Sequence, residues 1–147
     1  MRAAFYKGTR PGWQGMYNRL VRLWTRGKYS HMELVLNDSG LSGSSSFVDG
    51  GVRCKFIEYS ESNWDFLELS VPLSAQLRVL VWLNGHHGAA YDFWGNIRFM
   101  LGFIPHSKDK YQCAEACMEA LGFEDAWRFE PNSAYATLKF IGKNHVQ

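Results

Sequence analysis

The sequence predicts an α+β fold, an antiparallel sheet packed against helices. Strand-like segments fill the first half of the chain, and helical periodicity takes over after Pro72, an order that favours α+β over alternating βα units. The composition of the 147 residues, 46% hydrophobic and 20% charged, is that of an ordinary globular chain and supplies one domain, residues 1–147, with a sizeable core. Disorder, collagen and coiled coil do not fit these figures.

Each element has its own signal. Residues 2–7 are a short strand, and Gly8-Thr9-Arg10-Pro11-Gly12 is a turn cluster. From Trp13 to Arg26, Met16, Leu20, Leu23 and Trp24 recur at helical spacing, with Arg19, Arg22 and Arg26 on another face and Gly27 as the stop. Tyr29–Asn37 is the next strand. Residues 38–46, with Gly40, Gly43 and five serines, are expected to form a turn or loop. Phe47–Glu58 gives one or two short strands around Gly50-Gly51, and Trp64–Leu69 alternates apolar with acidic residues as a strand does. Ser74 is placed to cap a helix carrying Leu77, Leu80 and Val81, broken at Gly85-His86-His87-Gly88. Asp92 is placed to cap a second helix with Phe93, Ile97 and Met100 on one face. A loop from Gly102 to Lys110 leads to a compact helix over Tyr111–Leu121, stopped by Gly122, and a last helix follows Pro131.

Charge is unevenly spread. All seven basic residues of positions 1–30 stand there without a single acid, and the remainder is net acidic. Such a segment is either a solvated basic face or a contact for a polyanion: nucleic acid, an envelope polymer or a membrane surface. No uncharged apolar run reaches the ~18 residues of a membrane span. The opening residues contain no signal-peptide h-region, and three cysteines are too few for a disulfide scaffold, so the expected location is cytoplasmic.

Cys113 carries the sharpest chemistry. It falls at the first turn of its helix, where unpaired backbone N–H groups and the helix dipole favour a thiolate and leave donors for an oxyanion. The bland alternative is a small buried core cysteine. Cys117, one turn later, is expected to pack inside, and Cys54 carries no signal. The Cys113/Cys117 pair with His86 and His87 lacks a second matched pair of ligands, so no metal is expected. His31 shares a strand face with Glu33, about 7 Å along, within reach of a carboxylate that would fix the imidazole tautomer. A histidine held that way serves as general base to a thiol, although it could equally be a surface His–Glu pair. His106 and His145 are loop and terminus residues. Glu115 is a local cap or ion-pair partner. Tyr91 is positioned to line a cleft.

Taken in order, Tyr29-Ser30-His31-Met32-Glu33-Leu34-Val35, the Gly51-Val52-Arg53 strand, Tyr91-Asp92 and Tyr111-Gln112-Cys113-Ala114-Glu115 resemble the circularly permuted branch of the NlpC-like papain-fold superfamily. The resemblance covers residues 2–125, with Ala114 where the family motif has serine. The small size and the Ser-His-x-Glu-Leu strand look like bacteriophage-encoded members. The resemblance implies a permuted papain-like fold and a cysteine peptidase or amidase acting on an amide or peptide bond, such as those of cell-wall peptides. It implies Cys113 as nucleophile, His31 as base, Tyr91 and Gln112 at the substrate, and no cofactor. The third polar residue departs from the family pattern; Glu33 is chosen on reach, with Ser46 or Asp49 as the alternatives. The rival is a non-enzymatic phage protein that binds nucleic acid, an envelope polymer or a host protein through its basic N-terminal segment.

Overall fold

A computed structural model of the chain describes residues 1–9, 11–93 and 109–144. The strands are β1 (Arg2–Tyr6), β2 (His31–Val35), β3 (Leu41–Ser46), β4 (Gly51–Phe56), β5 (Trp64–Glu68), β6 (Ala90–Tyr91) and β7 (Lys110–Tyr111). The helices are α1 (Gly12–Thr25), α2 (Leu73–Gly85), α3 (Cys113–Ala120) and α4 (Pro131–Asn144), with a 3₁₀ turn at Ala126–Arg128. Among the described residues the strands form one sheet in the order β5-β1-β2-β3-β4-β6-β7. Every pairing is antiparallel except β6 with β7, which is parallel. Mixed α+β architecture is thus what the chain adopts. Among the described residues no helix is long and apolar enough to cross a membrane.

β1 and β2 lie inside the sheet with both edges paired, and side chains on both of their faces are buried. Ala3, Phe5, Met32 and Leu34 join the main core with Val79 and Leu83 of α2 and Cys117 and Met118 of α3. Ala4, Tyr6 and Val35 alternate to the other side and pack with Trp64. Phe5 and Tyr29 both meet Tyr135 of α4, at ring-centroid distances of 5.1 and 4.7 Å.

The chief departure from expectation is residues 38–46. Leu41–Ser46 is a strand, not a loop, and Ser42 to Ser46 are buried. Serine and glycine favour turns because their side chains give little to bury and compete for backbone partners. Here three hydroxyls find partners inside the fold: Ser42 Oγ donates to Gly40 O at 3.0 Å, Ser44 Oγ to Met32 O at 2.7 Å and Ser45 Oγ to Tyr111 O at 2.6 Å. The strand's small side chains let helices approach. A Cβ on Gly43 would stand 2.3 Å from Leu83 Cδ1, so the missing side chain makes the notch in which α2 sits.

Smaller corrections follow the same logic. Of the one or two strands expected over Phe47–Glu58 there is one, β4, after a turn at residues 47–50. At Gly51 the backbone φ is +154°, and a Cβ would meet Ala89 O at 1.9 Å; only glycine permits the close approach that pairs β4 with β6. α1 ends with Arg26, not Gly27, in the left-handed region, at φ 48°. α2 starts at Leu73 with Pro72, not Ser74, at its N-cap. It buries Val79 and Leu83 while Leu77 and Val81 stay exposed, because the Gly43 notch selects that stripe. Tyr111 belongs to β7 and the helix expected over 111–121 is the shorter α3. Ile97 and Met100 of the helix expected after Asp92, the loop residues 102–108 with His106, and His145 lie outside the described residues.

Candidate active site

α3 begins at Cys113 for reasons set one and two residues earlier. Tyr111 is fixed by its pairing to Tyr91 and by the Ser45 hydroxyl on its carbonyl. The Gln112 N–H donates to Glu115 Oε2 at 3.3 Å, which gives Glu115 the capping role foreseen for it. Ala116 N–H is the first to bond back, to Gln112 O at 3.0 Å. The N–H groups of Cys113 and Ala114 come before the first bond of the helix ladder and lie at the sulfur end of the helix.

His31 opens β2 and meets that end. Its Nε2 lies 2.7 Å from Glu33 Oε1, and Cys113 stands near enough to act on the charge of the ring. With Nε2 engaged by the carboxylate, Nδ1 is the nitrogen available to the thiol. Burial works against the imidazolium, but the sulfur of Cys113 and the carboxylate of Glu33 outweigh it and push the pKa of His31 from 6.5 up to about 9.

Glu33 is 1% exposed. A carboxylate so deep needs charged partners, and Arg53 of β4 supplies them: Nη1 donates to Oε2 at 2.7 Å and Nη2 to Oε1, a two-pronged contact. Burial would raise the Glu33 pKa, but Arg53 and His31 hold it below the ordinary carboxylate range. Arg53 Nε in turn donates to Asp49 Oδ2 at 2.8 Å, and Lys55 Nζ bonds the same carboxylate at 2.6 Å. Burial opposes its ionisation, yet Lys55 and Arg53 hold Asp49 at about 2. A continuous line of polar contacts runs His31, Glu33, Arg53, Asp49, Lys55, with Cys113 beside its His31 end. Of the three residues weighed as partner to the imidazole, Glu33 has the contact; Asp49 is turned to Arg53 and Lys55, and Ser46 lies in the wall of the neighbouring cavity.

That cavity has a volume of about 330 Å³, and His31, Ser30, Ser46 and Tyr91 are among its walls. Tyr91 stands where a cleft-lining residue was expected, its ring 5.8 Å from Phe47. Gln112 does not: it is fully buried, its Nε2 donates to Phe129 O at 2.9 Å, and it is not among the cavity walls. A residue placed just before a helix start in a tight interface is drawn into the scaffold. Cys113 itself is 3% exposed, so His31 and not the sulfur forms the surface that a ligand meets first.

The other cysteines behave as packing groups. Cys117 is buried against Met32 O, Gly43 O and Ser44 Oγ, and burial drives its pKa well up. Burial also raises Cys54. His86 is bonded to Trp82 O at 2.8 Å and stacked on the Trp82 ring at 4.1 Å. Among the described residues no group of three or more His, Cys, Asp or Glu is placed to hold a metal ion.

Two residues of this region were not singled out from sequence. Arg53 had a readable signal: a charge between Val52 and Cys54 on a buried strand requires a carboxylate partner. Ser30 had none; its buried Oγ has no hydrogen-bond partner among the described residues, and it lines the cavity with His31. Compared with protein-family models and with curated proteins, the sequence matches none.

Proposed function

We propose that this chain is a thiol-dependent hydrolase that cleaves an amide or peptide bond, with the permuted NlpC-like papain fold as its framework. The observation that carries the reading is a helix-start cysteine beside a histidine whose far nitrogen is held by a buried, arginine-clamped carboxylate. Such an arrangement fixes the tautomer and orientation of the imidazole, which a loose surface His–Glu pair does not.

In the first step the Cys113 sulfur, its proton held by His31, attacks the carbonyl carbon. N–H groups of the first turn of α3 stabilise the oxyanion. His31 then gives the proton to the leaving amine, and the acyl group remains on sulfur as a thioester. Water, deprotonated by His31, attacks that thioester; the acid leaves and the thiol is restored. Glu33 stabilises each imidazolium formed, and Arg53 keeps Glu33 ionised. Tyr91 lines the approach.

Acylation by p-nitrophenyl acetate tests this. The acetyl group transfers to Cys113 with release of p-nitrophenolate, and intact-mass and peptide mapping locate it. Cys113→Ala should abolish the adduct and His31→Ala should slow it by ~100-fold or more. Adducts spread equally over Cys54 and Cys113, indifferent to His31→Ala, would overturn the assignment.

A further inference from the structure

α1 is mounted inside out. A helix on a globular body normally buries its apolar stripe and shows its polar face to water. Among the side chains of α1 that are described, the buried positions are Gly15 and Asn18. Arg22 reaches inward to donate to Lys7 O and Gly8 O, and Asn132 of α4 donates to Thr25 Oγ1 at 3.0 Å. The polar side is the docked side. The apolar side looks out: Trp13 is 82% exposed, Leu20 52% and Leu23 76%. At ~100° per residue these three, with Met16, span an arc of about 80°, and Arg19 and Arg26 run along its Leu23 edge.

Part of the charge of the N-terminal segment is engaged at home. Lys7 and Lys28 both bond Asp65, and Arg22 is held by carbonyls. Arg19 and Arg26 are exposed and have no partner among the described residues. Two free cations beside a wide apolar stripe do not make a polyanion groove, whose affinity comes from many phosphate contacts. They do match a helix that lies in the plane of a lipid surface, with tryptophan and leucine in the acyl boundary and arginines at the headgroups. The stripe also runs on into the cavity: Trp13, Met16 and Leu20 line it together with Phe47, Val48 and His31.

We propose that α1 docks this protein onto an anionic lipid surface, apolar stripe inward, so that the cavity beside His31 opens towards the bilayer. The docking depends on side chains of α1 alone and stands apart from the chemistry assigned to Cys113.

The test is co-sedimentation of the full chain with vesicles of mixed phosphatidylglycerol and phosphatidylcholine, against vesicles of phosphatidylcholine alone, with tryptophan emission as a second readout. The chain should pellet with the anionic vesicles and its emission should shift to the blue. Leu20→Ser/Leu23→Ser should weaken binding by about tenfold or more, since both side chains are already in water and their loss leaves the fold intact. Arg19→Gln/Arg26→Gln should remove the preference for anionic vesicles. Cys113→Ala should bind as the parent does. Absence of vesicle binding by the parent, or equal binding by Leu20→Ser/Leu23→Ser, would overturn the proposal. A parent dimer that Leu20→Ser/Leu23→Ser converts to monomer, with no vesicle binding, would assign the stripe to a second copy. Duplex binding lost only in Arg19→Gln/Arg26→Gln would assign it to nucleic acid.

Discussion

Glu33→Gln keeps the size and shape of a side chain that accepts three charge-assisted hydrogen bonds, two from Arg53 and one from His31. The amide brings one NH₂ group into a site built only of donors, so at least one N–H must face another. Removing one partner of a buried ion pair costs about 3–5 kcal/mol because the remaining charge stays in the interior. Two features place the expected loss at the lower end, about 3 kcal/mol: the Gln oxygen still accepts from one donor, and Arg53 retains Asp49. That is a large part of the ~5–15 kcal/mol that holds an ordinary domain together. Urea unfolding at neutral pH reads it directly, as a lower midpoint with an unchanged slope. Arg53→Met measured alone and on the Glu33→Gln background completes a cycle; the second substitution should cost less in the presence of the first, with a coupling of about 1 kcal/mol or more. A loss below ~1 kcal/mol for Glu33→Gln, or strict additivity in the cycle, would refute the view that this carboxylate is a buried anion held by Arg53. The same substitution should lower the pKa of His31, seen by NMR titration of the ring, and slow turnover less than Cys113→Ala does.

Stability should also report on His31 itself. Its folded pKa, about 9, lies above the ordinary 6.5, so its contribution is fully present below pH 6.5 and disappears as pH rises through 9. Unfolding free energy should fall across that window by at most roughly 3 kcal/mol, and His31→Gln should flatten the slope. On the acid side, Asp49 acts in the opposite sense: its contribution is present above its ordinary pKa near 4 and is lost as pH falls towards 2, a loss that Asp49→Asn should remove from the acid titration. Brief alkylation with iodoacetamide near pH 6 should label Cys113 in preference to Cys117, which is sealed among backbone carbonyls, and mass spectrometry should find Cys113 labelling slowed by His31→Ala. Gly51→Ala should destabilise by roughly 2 kcal/mol or more, because its Cβ would collide with the Ala89 carbonyl, and thermal melting measures it.

The parts legible in the sequence were those governed by near neighbours. His31 and Glu33 stand two apart on one strand, and a strand's period of two is enough to bring them together. Cys113 could be placed at a helix start because polar residues precede it and alanines follow. Arg53 was not paired in advance, since it sits two strands away from Glu33 with β3 between, and only the order of the sheet joins them. β3 itself was hidden because its stability comes from carbonyls supplied by Met32 and Tyr111, which local propensity does not see. For α1, periodicity located the stripe without saying which side would dock; that was decided by Arg22 and Asn132 meeting polar backbone on the inner side.

The serines of β3 have a mechanical consequence. Ser44 is bonded to the carbonyl of Met32, the residue after His31, and Ser45 to the carbonyl of Tyr111, two residues before Cys113. Adjacent rungs of one strand thus tether both halves of the thiol–imidazole pair. A displacement of β3, from a thermal breathing of the sheet or a load on its edge, carries the two halves in the same direction and largely cancels in their separation. The strand serves as a common reference bar: the pair is gauged against it and not across the looser body of the protein, so its alignment can stay true while the surroundings move.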